Sequence, residues 1–277
     1  MTPGQMQQSA PKIMGVVNVT PDSFSDGGKF TDPEAAIAHA LQLVEDGADI
    51  LDIGGESTRP GAEPVSVDDE LSRVVPVIEG LAGKTEAVLS IDTRKADVAR
   101  TAVAAGASVW NDVSALMHED ASVETAADLD CGIVLMHAQG DPRTMQQDPS
   151  YTDVVSEVMA FLAARIELCA AAGIDRERLI VDPGIGFGKT VKHNLALLAG
   201  MDKFQALGCP VLLGASRKRF IAALDRAGPA DSRLGGSLAA ALAGFSRGVQ
   251  IFRVHDVAET RQALKIAHAI AGAMENP

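Results

Sequence analysis

A chain of 277 residues, 47% hydrophobic and 22% charged, has the make-up of a globular protein with a sizeable core. Its formal net charge of -13 argues against nucleic acid as a bulk electrostatic partner, while leaving room for a local cationic pocket. Cys131, Cys169 and Cys209 lie far apart and form no C-x-x-C pair, a usage that fits a reducing cytoplasm and offers no disulfide framework. No signal-peptide pattern opens the chain, and no apolar run approaches the roughly 18 residues a membrane span requires.

The polar stretch over 1–11 reads as a flexible tail, and a single domain over 12–277 follows without a linker or charge block. A first apolar run, "KIMGVVN" (12–18), leads into the Gly/Pro/Ser-rich loop "NVTPDSFSDGG" (18–28). The helical segment over 31–49 follows, with a cap at Thr31 or Asp32, Pro33 in its first turn and Glu34 placed for a capping box. Ile37, Leu41 and Val44 share one face, and Gly47 ends it. The second run, "ADILDIGG" (48–55), opens into another long loop, "GGESTRPGAEPVS" (54–66), and a helix over 66–83. "AVLSIDT" (87–93), a helix over 95–108, "ASVWNDV" (107–113) and "GIVLMHA" (132–138) come next. A long helix over 153–174, "LIVDPG" (179–184), a helix over 193–208, "PVLLGAS" (210–216), a helix over 237–248 and "VQIFRVHD" (249–256) complete the series.

Eight runs that are continuously apolar read as strands buried on both faces, and strand–helix alternation makes the connections parallel. The fold class is α/β, and eight units in one chain favour a closed (β/α)8 TIM barrel over an open doubly wound sheet. Polar residues stand at or just past the strand ends: Asn18, Glu56, Asp92, Asn111, His137, Asp182, Ser216, Arg253 and His255. A barrel gathers all of those ends on one face, where barrel active sites are built.

Asp92, Asn111, Asp182 and Lys218 come from four strand ends. Carboxylates accept from ring N–H and amino groups, an amide does both, and lysine donates, so together they suit a flat heterocycle. Each could instead cap the helix that follows it. Ser216, Arg217, Lys218, Arg253 and His255 cluster after the last two runs, where barrels commonly hold phosphate; a solvated charge run is the alternative. Phe24 and Arg59 sit on the two long loops, which read as closing over a substrate. Met136 and Trp110 read as core or pocket wall. The "GIGFGKT" stretch (184–190) imitates a phosphate loop, but Pro183 breaks the Walker spacing and the glycines are spaced two and two. The histidines show no metal-cage spacing, although Asn18 could help hold a Mg²⁺ bound mainly by substrate phosphates.

The motifs "MGVVNVTPDSFSDGG", "DIGGESTRPGA", "LSIDTRK", "NDVS", "LMH", "DPGIGFGK", "GASRKRF" and "RVHD", in this order from Ile13 to Ile270, closely resemble the dihydropteroate synthase family of folate biosynthesis. Trp110 and Ile185 stand where that family often has other apolar residues. The resemblance implies a barrel that joins 6-hydroxymethyl-7,8-dihydropterin diphosphate to 4-aminobenzoate and releases pyrophosphate, with Mg²⁺ as cofactor and sulfonamides as inhibitors. It implies that Asp92, Asn111, Met136, Asp182 and Lys218 hold the pterin, with Arg253 stacked on it. Asn18, Thr58, Arg59, Arg253 and His255 would hold the diphosphate and the metal, and Phe24, Pro60, Phe187, Ser216 and Lys218 would form the aminobenzoate site. Asp92, Asp182, Lys218, Arg253 and His255 would carry the chemistry. A cytoplasmic homodimer is expected, without nucleic acid or membrane partners. Two other readings stay open: a pterin-binding methyltransferase domain and an inactive pterin-binding paralogue.

Overall fold

The structure, a computed structural model, describes residues 10–20, 32–57, 64–140 and 144–275. The strands are β1 (Lys12–Asn18), β2 (Ile50–Gly54), β3 (Val88–Asp92), β4 (Val109–Asp112), β5 (Gly132–Met136), β6 (Leu179–Asp182), β7 (Leu212–Leu213) and β8 (Ile251–Val254). All pair in parallel in the order β6-β5-β4-β3-β2-β1-β8-β7. The remaining seam, between β6 and β7, is narrow. A parallel bridge joins Val181 to Val211, and the Val181 N–H donates to the Pro210 carbonyl at 2.9 Å. The eight parallel strands thus form a near-closed, TIM-like barrel in one α/β domain.

The helices between the strands are α1 (Pro33–Glu45), α2 (Val67–Leu81), α3 (Ala96–Ala104), α4 (Ser122–Asp128), α5 (Val154–Ala171), α6 (Val191–Ala199), α7 (Arg219–Leu224), α8 (Leu234–Phe245) and α9 (Val257–Glu275). Two starts differ from the sequence expectation. Asp32 caps α1 by accepting from the Glu34 N–H at 2.9 Å, so Glu34 lies too early for a capping box. The reciprocal box forms at α6 instead, between Thr190 and His193. The buried stripe of α1 is Ala36, Ala40 and Leu43, with Ile37, Leu41 and Val44 packed at its flank. Two alanines and Leu43, which lies against Gly15 of β1, form that stripe, and Ile37, Leu41 and Val44 fill the sides.

Two apolar cores result. The larger lies between strands and helices. The smaller fills the barrel: Met14, Ile50, Val109, Val134, Ile180, Leu212 and Ile251. Successive strand side chains alternate faces, so the residue two positions further on also points into the barrel, one layer nearer its carboxyl end. Those residues are Val16, Asp52, Asn111, Met136, Asp182, Gly214 and Arg253. On β2, β4, β6 and β8 a two-residue step therefore turns an apolar plug into a polar mouth.

The loop after β6 presses on the end of β5. Gly184, at φ 70°, sits where an added Cβ would overlap the His137 carbonyl oxygen, and at Gly188 (φ 61°) it would overlap that of Gln139. Gly83, at φ 75°, has nothing within 4 Å of the same position. Gly83→Ala should therefore cost only the left-handed backbone, about 1–2 kcal/mol. Gly184→Ala should cost about 1–3 kcal/mol more, because the neighbouring strand cannot yield. Urea denaturation of the two variants measures that difference.

Candidate active site

Asp52 is fully buried and takes donors from three other strands. Oδ1 accepts from Ser90 Oγ at 2.6 Å, and Oδ2 accepts from Asn111 Nδ2 at 3.0 Å and Arg253 Nε at 2.6 Å. Arg253 Nη2 reaches on to Asp92 Oδ2 at 2.7 Å. Burial works against the Arg253 charge, but Asp52 and Asp92 outweigh it and raise its pKa. Arg253 is thus a fixed cation at the mouth. Sequence reasoning missed Asp52. The signal was an acid inside the otherwise apolar strand "ILDIG", which burial tolerates only with partners.

This network decides which atoms remain for a ligand. Asn111 gives its amino group to Asp52, so its carbonyl oxygen is left. Asp92 Oδ1 is buried and has no hydrogen-bond partner among the described residues, an acceptor that a bound N–H would satisfy. Burial raises the Asp92 pKa, Arg253 opposes the rise and Asp52 adds to it. Asp182 Oδ1 accepts from the Gly184 N–H at 2.7 Å. Its Oδ2 faces Gly214, where even a Cβ would stand 3.8 Å away. Burial raises the Asp182 pKa too, against Gly184 and Lys218. Lys218 Nζ stands 4.0 Å from the centre of the Phe187 ring, and burial, with Arg253 nearby, brings its pKa down to about 8. Met136 closes the floor, buried at the end of β5 opposite Asp182 in the strand register.

At the ends of β7 and β8, Ser216 Oγ accepts from the His255 N–H at 3.3 Å and lies 3.1 Å from His255 Nδ1. With the serine hydroxyl donating to Nδ1, the imidazole presents Nε2–H outward. Burial, with Arg253 and Arg217 close by, lowers the His255 pKa to about 3. The ring is thereby held in its neutral form, with Nε2–H as a donor. Arg217 pairs through Nε and Nη2 with Asp256 and braces the loop.

Two other strand-end residues serve the scaffold. Glu56 is gripped by Arg94 and by Lys95, which also binds Glu70. His137 receives Lys189 at 2.9 Å on Nδ1. Trp110 is core, donating to the Thr93 carbonyl at 2.8 Å. Asn18 ends β1 half-buried, beside Gly54. Phe24, Thr58, Arg59 and Pro60 lie outside the described residues. Among the described residues no group of three or more His, Cys, Asp or Glu could hold a metal ion, and none of the helices is long and apolar enough to cross a membrane.

The mouth of the barrel thus presents carboxylate and amide acceptors beside a lysine, with an arginine and a histidine at the end of β8, a donor and acceptor set that suits a flat polar ring bearing an anionic group. Residues 14–255 match the family described as "Pterin binding enzyme". Dihydropteroate synthase of Escherichia coli (strain K12) is 46% identical over 268 residues, covering 97% of this chain and 94% of the relative. The structure of the Xanthomonas albilineans enzyme with 4-aminobenzoic acid is similar at 51% identity and a TM-score of 0.89, covering 95% of this chain and 94% of that one. The Yersinia pestis enzyme in complex with a sulfonamide drug gives 44% identity and a TM-score of 0.90, covering 95% of each chain. The chain belongs to the pterin-binding enzymes and, within them, to the dihydropteroate synthases.

The neutral His255 has a consequence for stability. Its folded pKa lies below the unfolded value of 6.5, so in this window the unfolded chain binds the extra proton. Stability is lost as pH falls from about 6.5 toward 3. His255→Gln should lose less in that window, by up to about 1 kcal/mol at pH 5 after solvent screening. Thermal unfolding of both proteins across pH 4–8 checks it.

Proposed function

We propose that the protein condenses 6-hydroxymethyl-7,8-dihydropterin diphosphate with 4-aminobenzoate, giving 7,8-dihydropteroate and pyrophosphate. The observation that carries this reading, beside the family, is the convergence of Asp92, Asn111, Asp182 and Lys218 at one mouth with Asp92 Oδ1 left unsatisfied. The pterin N–H and amino edge meets the two carboxylates and the Asn111 carbonyl, and Lys218 donates to a ring acceptor. Met136 lies beneath the ring and Arg253 against it.

The diphosphate extends toward β8, where Arg253 Nη1 and the His255 Nε2–H donate to it, joined by Asn18, Thr58 and Arg59. The Asn18 side-chain oxygen suits a hard cation that keeps most of its ligands on phosphate and water. Bound there, Mg²⁺ supplies neutralisation of the diphosphate charge. The methylene C–O bond breaks with its electron pair leaving on pyrophosphate, whose charge Arg253 and His255 stabilise. The pterin delocalises the resulting cation, which the Asp92 and Asp182 carboxylates favour. The aminobenzoate nitrogen then forms the new C–N bond and releases a proton. Phe187, Phe24, Pro60, Ser216 and Lys218 shape its site, which is also where a sulfonamide competes. A neutral aniline needs no strong base, and none of the described residues is arranged as an activated nucleophile.

We also propose a homodimer, supported by the apolar residues Leu242, Ile266 and Ile270 exposed on α8 and α9. A cytoplasmic location is supported by three free, buried cysteines. Sedimentation tests the dimer. The two substrates with Mg²⁺ should yield one pyrophosphate per dihydropteroate. Pterin binding without pyrophosphate release would favour an inactive pterin-binding paralogue, and methyl transfer would favour the methyltransferase reading.

Asp182→Asn keeps the shape of the side chain but turns an acceptor into a donor facing donors, which costs about 1–3 kcal/mol. Calorimetry should show roughly ten- to hundredfold weaker pterin binding by a folded protein. Wild-type affinity would remove Asp182 from the pterin site.

A further inference from the structure

Lys189, which gives the glycine loop its phosphate-loop look, has no part in the chemistry above. It is 3% exposed. The other fully buried lysine, Lys95, is paired with two glutamates; Lys189 makes no ion pair among the described residues. Its ammonium has three donors and three acceptors: the Phe187 carbonyl at 2.9 Å, the His137 carbonyl at 3.1 Å and His137 Nδ1 at 2.9 Å. Burial lowers its pKa to about 7, with Asp182 opposing and Lys218 adding to the fall. A cation desolvated without a carboxylate beside it is costly. Its geometry shows what it secures.

The neighbours of Phe187 are held by other elements. Gly186 N–H donates to Asn194 Oδ1 at 2.7 Å, the Gly186 carbonyl accepts from Gln146 Nε2 at 2.5 Å, and the Gly188 carbonyl accepts from the Tyr151 hydroxyl at 2.9 Å. The Phe187 carbonyl is held by Lys189. On the other side of that residue, Lys218 Nζ stands over the ring. Phe187 is thus fixed by one lysine at its main chain and faced by another at its side chain. Glycines flank it on both sides, at φ 84° and 61°, and give the loop little stiffness of its own.

We infer that Lys189 is a positioning residue for the second substrate: by pinning the Phe187 main chain to the end of β5, it sets the aromatic wall on which 4-aminobenzoate binds. This rests on the reading of Phe187 as part of the aminobenzoate site. The pterin contacts at Asp92 and Asn111 lie on strands held by the Asp52 network and are independent of it.

Steady-state kinetics of Lys189→Met, beside Phe187→Ala and calorimetric pterin binding, test this. Lys189→Met should raise the aminobenzoate KM by about tenfold or more, the size of one lost charge-assisted contact. Its kcat at saturation and its pterin affinity should stay within about threefold of wild type. An unchanged aminobenzoate KM in Lys189→Met, with a raised one in Phe187→Ala, overturns the role of Lys189. An unchanged KM in Phe187→Ala overturns instead the placing of Phe187. Equal losses of pterin and aminobenzoate binding, together with a lower melting temperature, mean a structural lysine only and also overturn the inference. Should Lys189→Met prove insoluble, Lys189→Gln is read in the same way, since one amide cannot reach three acceptors.

Discussion

Asp52 has no exposed surface, and Ser90, Asn111 and Arg253, on three other strands, each send a donor to it. A carboxylate there is tolerable only because every partner is present. In return it fixes the partners. It takes the Asn111 amino group and so leaves that amide's oxygen for other partners, and it holds Arg253 charged at the mouth. Through Arg253 it also occupies one oxygen of Asp92 and leaves the other open. The ligand-facing pattern of the barrel is therefore set from within the same layer, by a buried carboxylate whose oxygens are already taken by its neighbours.

That layering follows from strand geometry. Ile50 and Asp52, Val109 and Asn111, Ile180 and Asp182, Ile251 and Arg253 are each two residues apart and face the same way. The lower member of each pair plugs the barrel with apolar side chains, and the upper member carries polarity. An acidic chain can thus concentrate Arg253, Lys218 and Lys189 at one end, where buried carboxylates offset the first and burial depresses the pKa of the two lysines.

Much of this was legible beforehand. Apolar runs separated by amphipathic segments gave all eight strands, and polar residues just past the runs located the mouth. The family motifs pointed to the same strand ends. What the sequence withheld was partnership. Asp52 and Arg253 are 201 positions apart, and no local pattern links them. Glu56 and His137 looked like the other strand-end residues, yet ion pairs and Lys189 draw them into the scaffold. The neutrality of His255 likewise comes from its burial, from Arg253 two residues before it and from Arg217 on the loop after β7, and burial is not visible in a one-dimensional reading. Helices α4 and α7 were passed over for a plainer reason: at seven and six residues they are too short to show a 3.6-residue period.

Pterin affinity of Asp52→Asn, measured by calorimetry on protein shown to be folded, tests the dependence on Asp52 most directly. The substitution keeps the volume but sets an amide among donors that need an acceptor. Pterin binding is expected to weaken by about tenfold or more, although both oxygens of Asp52 are occupied by its neighbours and it acts only through Asn111 and Arg253. Wild-type affinity in a folded Asp52→Asn protein would contradict it and show that the mouth keeps its geometry without the buried carboxylate.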